Sequence, residues 1–226
     1  MKSFSGVATC LYTLTTFAAL AAGCGGGLKY RVDDGALDAV PAGERQGVFA
    51  AQNELEVAKS EQRTAQNQLD GWDRDRDIAK NEKEQAKLQV EKATAEQEAA
   101  NASRNENQAN AARHQKDVAD FGVTVAEQKL SWLDDKKDWL KAARKAAEAH
   151  VAAAQAKVEF EKAKVAQAKG IKPDSDFAVS NYESQWKDAN SDWESAKKSA
   201  ASEEKDAKSS EKKWQDLQAQ QQKMKS

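Results

Sequence analysis

"AQNELEVAKSEQRTAQNQLDGWDRDRDIAK", Ala51 to Lys80, is the stretch that decides the fold. Small and apolar residues recur in it at alternating spacings of three and four, at Ala51, Leu55, Ala58, Ala65, Leu69, Trp72 and Ala79. Charged and amide side chains fill the places between. That rhythm keeps a narrow stripe on one side of a helix and marks the seam of a coiled coil. Outward from this stretch the frame begins at Val48 and continues through Ala86, Val90, Ala93 and Ala100, with Gln62, Arg76, Lys83 and Gln97 as polar occupants of seam places. In the same phase it then meets Ala111, Val118, Phe121, Val125, Trp132, Trp139, Ala142, Ala146, Ala149, Ala153, Ala156, Phe160 and Ala163.

A register this long predicts one continuous helix over 47–169, because a loop of arbitrary length shifts the phase. The weak place is "NASRNENQAN", Asn101 to Asn110, where the seam nearly vanishes and four asparagines lower helix propensity. Gly122 is a second one. A bend or a full reversal within 101–122 would replace the single helix by two.

"KGIKPD", Lys169 to Asp174, is a stronger break. Gly170 suits a helix C-cap, Pro173 disfavours helix at Lys172, and Asp174 or Ser175 can cap the next helix, so a turn is expected over 170–174 and a helix over 175–225. That last segment has its own frame at Val179, Tyr182, Trp186, Ala189, Trp193, Ala196, Ala200, Ala207, Trp214, Leu217 and Met224, with Glu203, Ser210 and Gln221 in the remaining places. The segment before the turn carries a second register, Val123, Leu130, Leu133, Leu140, Ala147, Val151, Ala154, Val158 and Val165, and two seams on one helix imply two neighbours. With an antiparallel partner, Trp186 comes beside Val158 and Phe160, Trp193 beside Val151 and Ala153, and Trp214 beside Leu130 and Trp132. The expected fold is all-α: long helices in an antiparallel coiled-coil hairpin or an elongated three-helix bundle.

Composition agrees. Of 226 residues 32% are charged and 7% aromatic, with a mean hydropathy of -0.87, so the core is thin. A formal charge of -2 with interspersed signs leaves no nucleic-acid footprint.

At the start, Met1 and Lys2 precede a run from Val7 to Ala22 that falls short of the roughly twenty residues a membrane span needs. It reads as a secretory signal over 1–23, removed together with Cys10. Ala21, Ala22, Gly23 and Cys24 resemble the lipobox of bacterial lipoproteins, with Leu20 one place further back than the usual leucine. An ordinary secretory signal cut at these small residues is the other reading. The resemblance implies cleavage before Cys24, lipidation of that cysteine and, with Gly25 rather than Asp next to it, export to the outer membrane facing the periplasm. Gly35, Pro41 and Gly43 break any helical pattern, so residues 24–46 are expected to be a lipidated, flexible tether.

No catalytic, cofactor or metal residue is expected. With Cys24 acylated there is no thiol for a metal site, and the two histidines, His114 on the seam and His150 at a helix flank, read as plain helical residues. The sequence holds no GxSxG, HExxH or P-loop. Runs such as "DRDRD", Asp73 to Asp77, read as solvated helix faces. The six tryptophans all fall on seam places and read as core, with a surface for a partner protein or for cell-wall sugar rings as the other use.

The expected function is that of a non-enzymatic lipid-anchored spacer, tether or interaction scaffold of the bacterial cell envelope. Its partners would be the membrane through Cys24, an envelope protein or peptidoglycan, and further copies of the chain through the apolar seam. The other expectation is a periplasmic holdase or an efflux-associated helical hairpin.

Overall fold

A computed structural model describes residues 27–226 of the chain; the expected signal segment, with Cys10, and Cys24, the expected site of lipidation, lie outside the described residues. After two short 3₁₀ turns, Asp34–Leu37 and Ala42–Glu44, come three long helices: α1 (Gln46–Ala102), α2 (Glu106–Ala168) and α3 (Val179–Lys225). No strand occurs among the described residues. The helices have 57, 63 and 47 residues, and at about 1.5 Å per residue they are roughly 86, 95 and 71 Å long. Helices α1 and α3 pack on α2 rather than on each other, so α2 is the central element of an antiparallel three-helix rod.

The continuous helix expected over 47–169 is divided. The chain reverses at Ser103–Asn105, inside the asparagine-rich stretch. Asn105 caps α2 by accepting from the backbone N–H groups of Asn107 and Gln108 at 3.1 and 3.3 Å, while Arg104 takes a left-handed φ of 56°. This short connection leaves the spacing of threes and fours in phase, so the sequence frame runs through it unchanged while its neighbour changes. Before the reversal the frame faces α2; after it, Trp132 and Phe160 face α3, and the second register faces α1. Gly122 produces no bend: α2 runs straight through it, and Gln221 of α3 occupies the space, its Nε2 only 2.7 Å from where a Cβ would stand.

At the far end, Gly170 (φ 67°) and Ile171 close α2 with crossed bonds, Gly170 N–H to Gln167 O at 3.0 Å and Ile171 N–H to Ala166 O at 2.9 Å. Helix α3 begins at Val179, later than expected. Asp174 and Ser175 do not cap it; its N-cap is the extended Ala178, without a side-chain bond. Phe177 and Val179 pack instead against the core cluster at the root of the rod, so burial sets the start of the helix.

The described part of the expected flexible tether is packed. Val32, Leu37 and Val40, only 3–4% exposed, form that cluster with Ala163 and Ala166 of α2 and Tyr182 of α3. Their irregular spacing hid them: no helical period joins residues that reach one pocket through two 3₁₀ turns, for which Gly35 and Pro41 supply the corners.

Candidate functional site

The two faces of α2 are built differently. Toward α1, every seventh residue is small, with Ala51, Ala58, Ala65, Ala79 and Ala93 buried and Trp72 the one large member of the column. Opposite lie Ala112, Ala119, Ala126, Leu133, Leu140, Ala147 and Ala154, also seven apart and buried. Away from Trp72, Leu133 and Leu140, small residues on both sides let two backbones approach closely. Trp72 fills the widest point: 3% exposed, its indole N–H donates to Leu133 O at 2.6 Å. Arg76 and Lys137 stand over its ring at 5.6 and 4.0 Å.

Beside this column runs a ladder of cross-helix pairs at the same interval. Lys129 meets Glu82 at 2.5 Å, Lys136 meets Asp75 at 3.2 Å, His150 meets Glu61 at 2.7 Å and Lys157 meets Glu54 at 2.5 Å. The rung between Lys136 and His150 would be Ala143 and Gln68, which carry no charge. On the other flank the polarity reverses, with Arg76 on Asp134 and Lys83 on Glu127, both at 3.0 Å. These pairs explain why Arg76 and Lys83 occupy seam places.

Toward α3 the joints are aromatic. Phe160 stacks on Trp186 at 5.5 Å, His150 on Trp193 at 4.1 Å and Trp132 on Trp214 at 4.9 Å, each pair within 9° of parallel. The register expected from the second turn places these partners within one residue of where they are found. All five tryptophans other than Trp72 are half-buried, because two neighbours cannot enclose a ring on a rod this thin.

His150 is where the two faces meet, and it is not a plain flank residue. It is 8% exposed, its ring lies on Trp193 of α3, and its Nδ1 faces Glu61 of α1. A carboxylate only accepts, so Nδ1 carries the proton. The signal was present in the column Lys129, Lys136, Ala143, His150, Lys157, and became readable only once the opposing column on α1 was known. His114 is exposed, its Nε2 2.9 Å from Met224 O in the last turn of α3.

Where the charged rung is missing the surface opens. A groove of about 660 Å³ lies over Thr64, Gln68, Ala143, His150 and Trp193, and a second of about 520 Å³, sharing Gln68, lies over Gly71, Arg74, Ile78 and Trp139.

At the root, the strap of residues 30–40 is held through its backbone. Tyr30 N–H donates to Gln185 Oε1 and Gln185 Nε2 donates back to Tyr30 O, at 3.0 and 3.1 Å. Tyr182 Oη donates to Arg31 O at 3.2 Å, and Val32 N–H donates to Glu159 Oε2 at 2.7 Å. Lys162, 7% exposed, joins Asp34 of the strap at 2.6 Å to Glu159 at 2.9 Å. Burial alone would lower its pKa, but the hydrogen bonds and charges of Asp34 and Glu159 outweigh that and hold it above the usual lysine value. Burial raises the Tyr182 phenol, and the charges of Asp174 and Glu159 add to the effect. Among the described residues no helix is long and apolar enough to cross a membrane, and no group of three or more His, Cys, Asp or Glu could hold a metal ion.

No family model, curated protein or solved structure matches the chain.

Proposed function

We propose that this protein is a lipid-anchored, non-enzymatic rod of the bacterial cell envelope that works as a spacer and interaction scaffold. The observation that carries the reading is the strap. Cys24 stands six residues before Tyr30, whose backbone is bonded to α3, so a lipid on Cys24 connects almost directly to the rod. Six residues reach at most about 20 Å, whereas α2 extends roughly 95 Å beyond its root. A pull on the anchor passes into the α2–α3 root through Gln185, Tyr182 and Glu159. The hairpin tip at Ser103–Asn105 is then presented far from the lipid surface.

Acyl chains gain about 0.8 kcal/mol per buried CH₂, and more than one chain makes attachment lasting. The grooves beside α1 are shallow and open to water, which suits docking rather than reactions that need an enclosed, desolvated chamber.

The test is expression of the full chain and of Cys24→Ala in a two-membrane bacterium fed labelled palmitate. The wild type incorporates label and fractionates with the outer membrane; the variant takes up none and is lost from that fraction. An unlabelled wild type, or a variant still found in the outer membrane, contradicts the anchor. Photo-crosslinking from the tip then captures the wall or one envelope protein. Capture of many unfolded client proteins would make the protein a holdase and contradict the scaffold.

A further inference from the structure

Five of the six tryptophans are engaged within the rod. Trp72 is buried with its N–H bonded to Leu133 O; Trp132 and Trp214 lie on each other, Trp186 on Phe160, and Trp193 between the His150 ring and the Lys197 ammonium at 5.2 Å. Trp139 alone, among the described residues, has no stacked ring, no cation over its face and no indole hydrogen bond. Across from it on α3 the residue at its level is Ala207, too small to cover it. Half-buried, Trp139 forms a wall of the 520 Å³ groove between α1 and α2.

The opposite wall contains Gly71, in the middle of α1. A glycine there costs about 1 kcal/mol relative to alanine. Nothing in the chain demands it, since a Cβ at Gly71 would meet no atom within 4 Å. Its effect is to keep the groove open in front of the indole. Around it converge an amide, Gln68; a carboxylate, Asp75, paired with Lys136; and the guanidinium of Arg74, which makes no ion pair among the described residues.

We propose that this groove binds a peptidoglycan strand, a sugar ring on the indole and a carboxylate of the strand's substituents on the guanidinium. An apolar helix would need apolar walls on both sides, and only Ile78, Leu140 and Trp139 supply them. A sugar ring instead sets its C–H face on an indole and turns hydroxyl and amide groups to flanking polar side chains, and Arg74 suits a carboxylate. Gln68 lines both this groove and the larger one beside His150, so a polymer can lie along the rod from one to the other. The ligand's class rests on the proposed envelope location, in which peptidoglycan is the acidic glycan at hand.

The test is calorimetric titration of the detergent-solubilised full chain with a soluble peptidoglycan tetrasaccharide and, separately, with the uncharged N-acetylglucosamine tetramer. The wild type binds the acidic tetrasaccharide more tightly than the neutral one. Trp139→Ala weakens the acidic glycan at least tenfold, and Arg74→Ala removes the preference for it. Gly71→Leu, which favours the helix while filling the groove, also weakens binding and stands in if Trp139→Ala melts early. Trp214→Phe, at a ring that lines neither groove, leaves binding unchanged. Absence of binding in the wild type, or binding untouched by both Trp139→Ala and Gly71→Leu, overturns the site. The palmitate experiment is separate: label without glycan binding removes this groove alone, and glycan binding without label removes the anchor alone.

Discussion

Helix α2 holds its two neighbours by opposite means. Against α1 it places alanines, two leucines that meet that helix's one buried tryptophan, and a ladder of charges; against α3 it takes part in flat, partly exposed aromatic pairs. The difference teaches where the energy lies. In the first interface it is concentrated at Trp72, Leu133 and Leu140, because alanine packing offers little transfer energy per residue and exposed ion pairs contribute less than about 1 kcal/mol each. In the second it is shared among three stacks and the root cluster.

The largest expected effect comes from that concentration. Trp72→Ala should cost about 3–5 kcal/mol in denaturant unfolding, and Trp214→Ala, whose ring is already half in water, about 1–2 kcal/mol. Equal losses would break the comparison. Next comes the strap: Leu37→Ala, truncating a side chain 3% exposed, should cost roughly 2–4 kcal/mol at the root and expose the peptide bond after Arg31 to trypsin, with the α1–α2 hairpin intact.

Alkali separates the two faces by a different route. Lys162 and Tyr182 both have pKa values raised by folding, so the stability they supply is complete below their unfolded values near pH 10 and is lost as pH climbs through the folded ones. Both belong to the root of the α2–α3 face. Hydrogen exchange between pH 9 and 11.5, corrected for the intrinsic rate, should show the strap and the start of α3 loosening before the middle of α1. Lys162→Met with Tyr182→Phe should abolish that order. The smallest effect belongs to the ladder, where Lys136→Ala should change stability by less than about 1 kcal/mol and by less still in high salt.

The seam positions were legible in the sequence because burial on a thin rod tracks the seven-residue period almost without exception. All of the seam places on α1 and α3, including Gln62, Gln97, Glu203 and Gln221, are buried or half-buried, and the exposed places in the frame through α2, among them Ala111 and His114, lie near its start. The reversal was not legible as such. Phase alone cannot tell a helix that continues from one that turns back through Ser103–Asn105 and presents the same frame to a new neighbour. Nor was the strap, because Val32, Leu37 and Val40 have no common period and are joined only by the pocket they fill. His150, Trp139 and Gly71 acquire their roles from residues forty or more places away in sequence, or from the absence of any neighbour.

The most direct measurement is the distance between two spin labels, at Glu56 on α1 and Gln155 on α2, by pulsed electron resonance. A chain that reverses at Ser103–Asn105 holds them on adjacent antiparallel helices, under about 30 Å apart with a narrow distribution. One unbroken helix would put them on the order of 150 Å apart, beyond the reach of the method, and a trace without a short distance would contradict the three-helix rod.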